Sequence, residues 1–82
     1  MAREEKKYVV ETRKKITERV KLIRKYKGLK NYELASILGI TEKSLDHKLG
    51  ADIWTLEDIL ILNQELNVPI NVILGKSPFI AY

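Results

Sequence analysis

The sequence predicts a small, all-α domain of five short helices. Apolar residues recur at spacings of three and four along most of the chain, which is the period of an amphipathic helix. Helix-capping residues and glycines divide this pattern into five segments. The chain has 82 residues and no cysteine, so it suits one compact hydrophobic core without a disulfide framework.

The first helix is predicted from Thr12 to Lys27. Apolar residues of this segment form one stripe: Ile16, Val20, Ile23 and Tyr26. Thr12 is a suitable N-cap, and Gly28 follows as a left-handed terminator. Two flanking pieces have strand-like composition, residues 7–11 and residues 79–82. For each of them three alternatives remain open: extension of a neighbouring element, strand pairing, or a disordered end.

The second and third helices follow at short intervals. The second runs roughly from Asn31 to Leu38 and ends at Gly39. Thr41 is a natural N-cap for the third, which we expect to reach about Leu49 and to stop at Gly50. Leu45 and Leu49 are four residues apart and therefore face inward together.

The fourth and fifth helices have recognisable starts. Thr55 with Asp58 approximates a capping box, and Trp54 with Ile59 has the spacing of a hydrophobic staple. Pro69 suits the first turn of a fifth helix that runs to Leu74. We expect residues 12–75 to form the domain, residues 1–11 an N-terminal extension, and residues 76–82 a tail.

Composition limits the possible functions. His47 is the only histidine and there is no cysteine, so we do not expect a metal cluster built from histidine or cysteine. We do not expect a cofactor either. No nucleophile–base pair or phosphate loop is visible, which argues against an enzyme with a small-molecule substrate. The longest apolar stretch is interrupted by charged and amide residues, and residues 1–7 do not form a signal peptide. We therefore expect a soluble, cytoplasmic domain without membrane contact.

Charge is distributed unevenly along the chain. Residues 1–27 carry eleven basic and four acidic side chains, residues 28–50 carry three of each, and residues 51–82 carry one basic and four acidic ones. The basic end could meet a polyanion, or it could be an ordinary solvated helix face. The run Arg13, Lys14 and Lys15 has the same two interpretations.

The segment 31–45 carries the most specific pattern. Ala35 is small enough to let the second and third helices cross closely, and Gly39 permits a sharp turn between them. Leu45 anchors the third helix in the core. This is the spacing of a helix-turn-helix, whose second helix enters the DNA major groove.

On these residues the chain resembles the helix-turn-helix domain shared by phage Cro proteins and lambda-type repressors. The resemblance covers about residues 13–75. It includes Arg24, the pair Leu34-Ala35, the turn 39–41 and the segment 67–74. The stretches 48–50 and 54–59 look closest to small regulators of Gram-positive phages and prophages.

The resemblance implies a set of DNA contacts. Base-reading positions fall on Glu42, Lys43 and His47; backbone or supporting contacts fall on Asn31, Tyr32, Thr41, Ser44, Arg24 and Lys30. Lysine can donate to guanine and glutamate can accept from cytosine. Each position also has a simpler interpretation: a first-turn acid at Glu42, a solvated charge at Lys43, a surface side chain at His47, an N-cap at Asn31 and packing at Tyr32.

Two departures from the family pattern affect these roles. Many members have a glutamate where Leu49 stands, paired with the arginine that matches Arg24. Arg24 is therefore expected either to reach a phosphate or to cap the first helix. In addition, the third helix, which is expected to enter the major groove, would place the acidic side chains of Glu42 and Asp46 close to the DNA. Affinity for DNA must then come from flanking lysines and backbone amides.

The sequence thus predicts a repressor or Cro-like switch of a phage or prophage, acting in the bacterial cytoplasm. We expect it to bind a two-fold double-stranded DNA operator as a homodimer. The fifth helix and the tail, with Phe79, Ile80 and Tyr82, are the candidate dimer contact, unless the tail packs on its own domain. The alternative function is an antitoxin or anti-repressor whose helix-turn-helix scaffold mainly binds another protein.

Overall fold

The computed structural model describes residues 4–80 and places five α-helices in them. They are α1 (Lys7–Lys27), α2 (Asn31–Leu38), α3 (Glu42–Ala51), α4 (Leu56–Leu66) and α5 (Ile70–Ile73). Residues 4–80 contain no strand, so the all-α, five-helix prediction is confirmed. No helix within this range is long and apolar enough to cross a membrane.

One hydrophobic core joins all five helices. α2 packs against α3 and α4, while α5 packs against α1 and α4. The buried apolar side chains are Ile16, Val20, Ile23, Leu34, Ala35, Leu38, Leu45, Ile59, Leu62, Leu66, Val68, Val72 and Ile73. Tyr26, predicted as part of the α1 stripe, is instead half exposed, and Thr17 is buried beside that stripe.

The start of α1 differs from the prediction. Thr12 is not an N-cap, because the helix begins at Lys7. The Thr12 hydroxyl donates to the Tyr8 carbonyl oxygen at 2.7 Å, one turn earlier. For residues 7–11, extension of the helix is therefore the alternative that the structure adopts, and local helix continuation overrides the strand propensity of Val9 and Val10.

Most of the other helix ends are where the sequence places them. Gly28 and Gly39 have positive φ and terminate α1 and α2. The Thr41 and Thr55 side chains accept hydrogen bonds from the Ser44 and Asp58 amides. The predicted N-caps of α3 and α4 are thus confirmed.

The predicted end of α3 is wrong. Gly50 lies inside the helix, which continues to Ala51, and Asp52 is the left-handed C-cap with a φ of 55°. The fifth helix is also shorter than expected, since Pro69 is its N-cap and Leu74 its C-cap.

Candidate functional site

The outer face of α3 consists of exposed polar side chains. Leu45 is the one fully buried residue of α3, at 0% exposure. The predicted base-reading residues Glu42, Lys43 and His47 are all exposed on this helix. Lys43, Ser44 and His47 also line one shallow depression of about 440 Å³. The structure therefore brings Lys43 and His47 to one surface, and Glu42 lies in the first turn of the same helix.

Thr41 and Ser44 organise the start of this helix. Thr41 Oγ1 accepts from the Ser44 amide at 3.1 Å and donates to Ser44 Oγ at 3.0 Å. The Thr41 hydroxyl therefore makes both of its hydrogen bonds, as donor and as acceptor, within the cap. The cap satisfies one of the otherwise unpaired amides of the first turn and orients that turn.

The last turn of α3 is tied to α4 by an ion pair. Lys48 Nζ lies 2.8 Å from Asp58 Oδ2, and the two side chains are 16% and 7% exposed. The same Asp58 oxygen accepts from the Thr55 amide at 3.1 Å. Asp58 therefore serves the α4 cap and the α3–α4 contact together, and Lys48 also lines the depression that contains Lys43 and His47.

A second polar contact ties the end of α3 to α1. The buried Thr17 hydroxyl donates to Asp52 Oδ1 at 2.6 Å and accepts from the Trp54 indole Nε1 at 2.8 Å. This contact holds the Asp52 side chain while its backbone takes the left-handed conformation that ends α3. Trp54 also packs partly buried against the core that contains Ile59. It therefore has a polar anchor in addition to its packing against the core.

The start of α2 lies beside the end of α1. Asn31, Lys21, Arg24 and Lys25 line one shallow groove of about 510 Å³ that also reaches Leu49 of α3. Asn31 Oδ1 is buried and accepts no hydrogen bond from the described part of the chain. Helix N-terminal amides and neighbouring cations are the groups that bind phosphate in proteins.

Several predicted backbone contacts have local partners. Arg24 Nη1 donates to the Leu29 carbonyl oxygen at 3.4 Å; Leu29 follows the C-cap Gly28, so this bond holds the α1–α2 loop and does not cap α1 itself. The Lys30 amide donates to Glu33 Oε1 at 2.9 Å, so Glu33 caps α2 from its third position. The Lys30 side chain and Tyr32 are exposed, and both therefore remain open to a ligand.

Two residues of the basic run, Arg13 and Lys15, contact other parts of the chain, and Lys14 is exposed. Arg13 forms an ion pair with Glu5. The stem of Lys15 lies so close to Gly75 that a Cβ there would be 2.8 Å from the Lys15 Cβ. These contacts give Arg13 and Lys15 roles at the N-terminal end and beside α5.

The tail is partly folded back onto its own domain. Arg19 Nη1 donates to the Ser77 carbonyl oxygen at 2.8 Å. Phe79 is half-buried and packs edge-on against Tyr26, with ring centroids 5.9 Å apart. Ile80 is exposed, while Tyr82 lies outside the described residues. For Phe79 the structure therefore adopts the alternative of packing on its own domain.

Sequence reasoning missed the polar tethers. Thr17, Lys48 and Asp52 received no role from it, and Asp58 was assigned only a cap. One signal was available, because a buried tryptophan N–H needs a hydrogen-bond acceptor. The sequence does not show which residue supplies that acceptor, since Thr17 and Trp54 are far apart in the chain.

Comparisons with known proteins add no assignment. No protein-family model, characterised protein or solved structure was found to match this chain. Function is therefore inferred from the geometry of the site and from the sequence pattern.

Proposed function

We propose that this chain is a sequence-specific DNA-binding regulator of transcription. In this proposal α2 and α3 form a helix-turn-helix of the kind found in phage Cro proteins and lambda-type repressors. α3 enters the major groove, with Glu42, Lys43 and His47 at base edges. The regulator acts as a repressor or a Cro-like switch, in the cytoplasm of a bacterium that carries the phage or prophage.

The main support is the combination of exposure and fixation in α3. This ten-residue helix buries one side chain completely, Leu45, and exposes most of its polar ones. Its start is capped by Thr41, and its end is held by Lys48 and Asp52. A helix that adds little to the core, yet is fixed at both ends, is suited to present side chains in a set geometry to a ligand.

Phosphate binding is assigned to the groove between α1 and α2. Lys21, Arg24 and Lys25 line it together with Asn31 at the start of α2, and Glu18 is the one acidic residue of the lining. Lys30 and Tyr32 extend this surface as exposed side chains. Such contacts set the position of the protein on the duplex without reading its sequence. They also compensate for Glu42 and Asp46, which face a polyanion in this arrangement.

A two-fold operator requires a dimer, and the apolar surface near α5 is our candidate for its contact. Ile70 and Ile80 are exposed there. A single domain of this size covers few base pairs, so two copies on half-sites about one helical turn apart supply the needed specificity.

The test is selection of binding sites from a pool of random duplexes. We expect a palindromic consensus from the wild-type chain, and a loss of that consensus from a chain with alanine at positions 42, 43 and 47. Affinity for the selected site should fall linearly on a log–log plot against salt concentration, because bound phosphates release counterions. No enriched site, or an unchanged consensus from the triple variant, contradicts the proposal.

The alternative is an antitoxin or anti-repressor that mainly binds protein. One observation favours it, the exposed apolar surface of α4, where Leu56 is 75% exposed. Such a protein would show no enriched duplex in the same selection, which distinguishes the two functions.

A further inference from the structure

The outward surface of α4 is apolar and acidic. We call it the acidic α4 face; its residues line a shallow groove of about 390 Å³ and are Leu56, Glu57, Leu60, Ile61, Gln64 and Glu65. Leu56 and Leu60 are one helical turn apart, and both are exposed. Contiguous apolar side chains on a helix surface, with charged residues among them, are typical of a contact site for protein.

The charge of this face is not neutralised by its own helix. α4 contains three acidic residues and no basic one. Asp58 is paired with Lys48, whereas Glu57 and Glu65 belong to the acidic α4 face. Two copies of this face placed together would bring like charges into one contact, which is unfavourable.

The N-terminal part of α1 has the complementary properties. We call residues 7–15 the α1 overhang, because the first buried residue of α1 is Ile16. The overhang carries four basic side chains and one acidic one. Lys7 lies 4.0 Å from Glu11 and Arg13 pairs with Glu5, whereas Lys14 and Lys15 are exposed and add to the positive charge of this surface. Tyr8 is 68% exposed and Val10 lies close behind it in the sequence, also exposed. The helix thus extends beyond the core with Tyr8 largely uncovered and Val10 about one third exposed.

We propose that the acidic α4 face binds the α1 overhang of a second copy of this chain. Two acidic α4 faces repel each other, and so do two α1 overhangs, because each pair carries like charges. Contact between an acidic α4 face and an α1 overhang instead places opposite charges around apolar side chains. The contact is formed without DNA, and the charged residues tested below, in α1 and α4, lie outside α3 and α5. It therefore stands or falls independently of the proposed DNA binding.

A charge exchange tests this pairing. One variant carries Glu57→Lys and Glu65→Lys; the other carries Lys7→Glu and Lys14→Glu. All four side chains are exposed, so neither variant is expected to lose its fold, and circular dichroism checks this. Sedimentation equilibrium is measured at protein concentrations from micromolar to millimolar. We expect the wild-type chain to associate beyond the dimer proposed near α5, and each variant alone to show this further association at least about tenfold more weakly.

The decisive sample is the equimolar mixture of the two variants. Each copy then again meets a partner of opposite charge, so association should return to about the wild-type level and should weaken with added salt. Lys76→Glu, an exposed charge reversal elsewhere, is the control and should associate like the wild type. A wild-type chain without this further association, unweakened variants, or a mixture that stays dissociated would each overturn the proposal.

Discussion

The ammonium nitrogen of Lys48, in the last turn of α3, lies 2.8 Å from a carboxylate oxygen of Asp58, in the first turn of α4. Asp58 also accepts from the Thr55 amide. One largely buried carboxylate therefore closes a helix cap and joins two helices. Removal of either partner of a buried pair leaves an uncompensated charge, which costs far more than the loss of an exposed pair.

Asp58→Ala should lower the free energy of unfolding by about 3 kcal/mol. A double variant, Lys48→Met with Asp58→Asn, should recover most of that loss, because the amide oxygen can still accept from Thr55 and no buried charge remains. Urea unfolding followed by circular dichroism measures both. A loss below about 1 kcal/mol in Asp58→Ala would show that the pair behaves like an exposed one.

Thr17→Val should destabilise the domain by about 2 kcal/mol, because it leaves the partly buried Trp54 indole N–H and Asp52 carboxylate without their shared partner. Thr12→Val is the matched control. Both threonines donate to the carbonyl oxygen four residues earlier, but Thr17 alone of these two reaches other segments. The control should change stability by less than about 0.5 kcal/mol in thermal unfolding; equal losses would contradict the assigned role of Thr17.

Two glycines of the α2–α3 region should respond oppositely to alanine. Gly50 lies inside α3 with open space around its Cβ position, so Gly50→Ala should stabilise the domain by about 0.5–1 kcal/mol. Gly39 has a φ of +72°, and Gly39→Ala should destabilise it by about 1–2 kcal/mol. Denaturant midpoints measure both. A destabilising Gly50→Ala would mean that α3 ends earlier than Ala51.

Lys43→Ala should reduce affinity for the selected operator by about 1–3 kcal/mol and relax base preference at one position. Lys30→Ala should weaken binding to all duplexes alike and lower the slope of the salt dependence by about one. Binding is measured on the selected duplex and on its single-base variants, with the exposed Lys76→Ala as control. Unchanged base preference in Lys43→Ala would place the reading surface elsewhere.

Features with local causes were predictable from the sequence. Thr41 and Thr55 cap the helices that they precede, because a cap uses amides only three residues away. Gly28 and Gly39 end helices, because a positive φ is a property of one residue. The five-helix fold and the grouping of Lys43 with His47 on an exposed surface follow from such local rules.

The error at the start of α1 has a local cause, but the errors around α3 arise where a distant residue decides. α3 passes through Gly50 to Ala51, and the carboxylate of its C-cap Asp52 is held by Thr17 of α1, 35 positions earlier in the chain. The Lys48–Asp58 pair likewise depends on how α3 crosses to α4, which no local pattern specifies. The contact of Glu42, Lys43 and His47 with bases stays a prediction.

The position of Trp54 makes its fluorescence sensitive to the position of the C-terminal end of α3. Its indole is the only one in the sequence, and its N–H is bonded to the hydroxyl that also holds Asp52, the C-cap of α3. Indole emission depends on hydrogen bonding and on exposure to water. A ligand that displaces the end of α3 should therefore change the fluorescence of the unlabelled protein, whereas one that leaves that helix end in place should not.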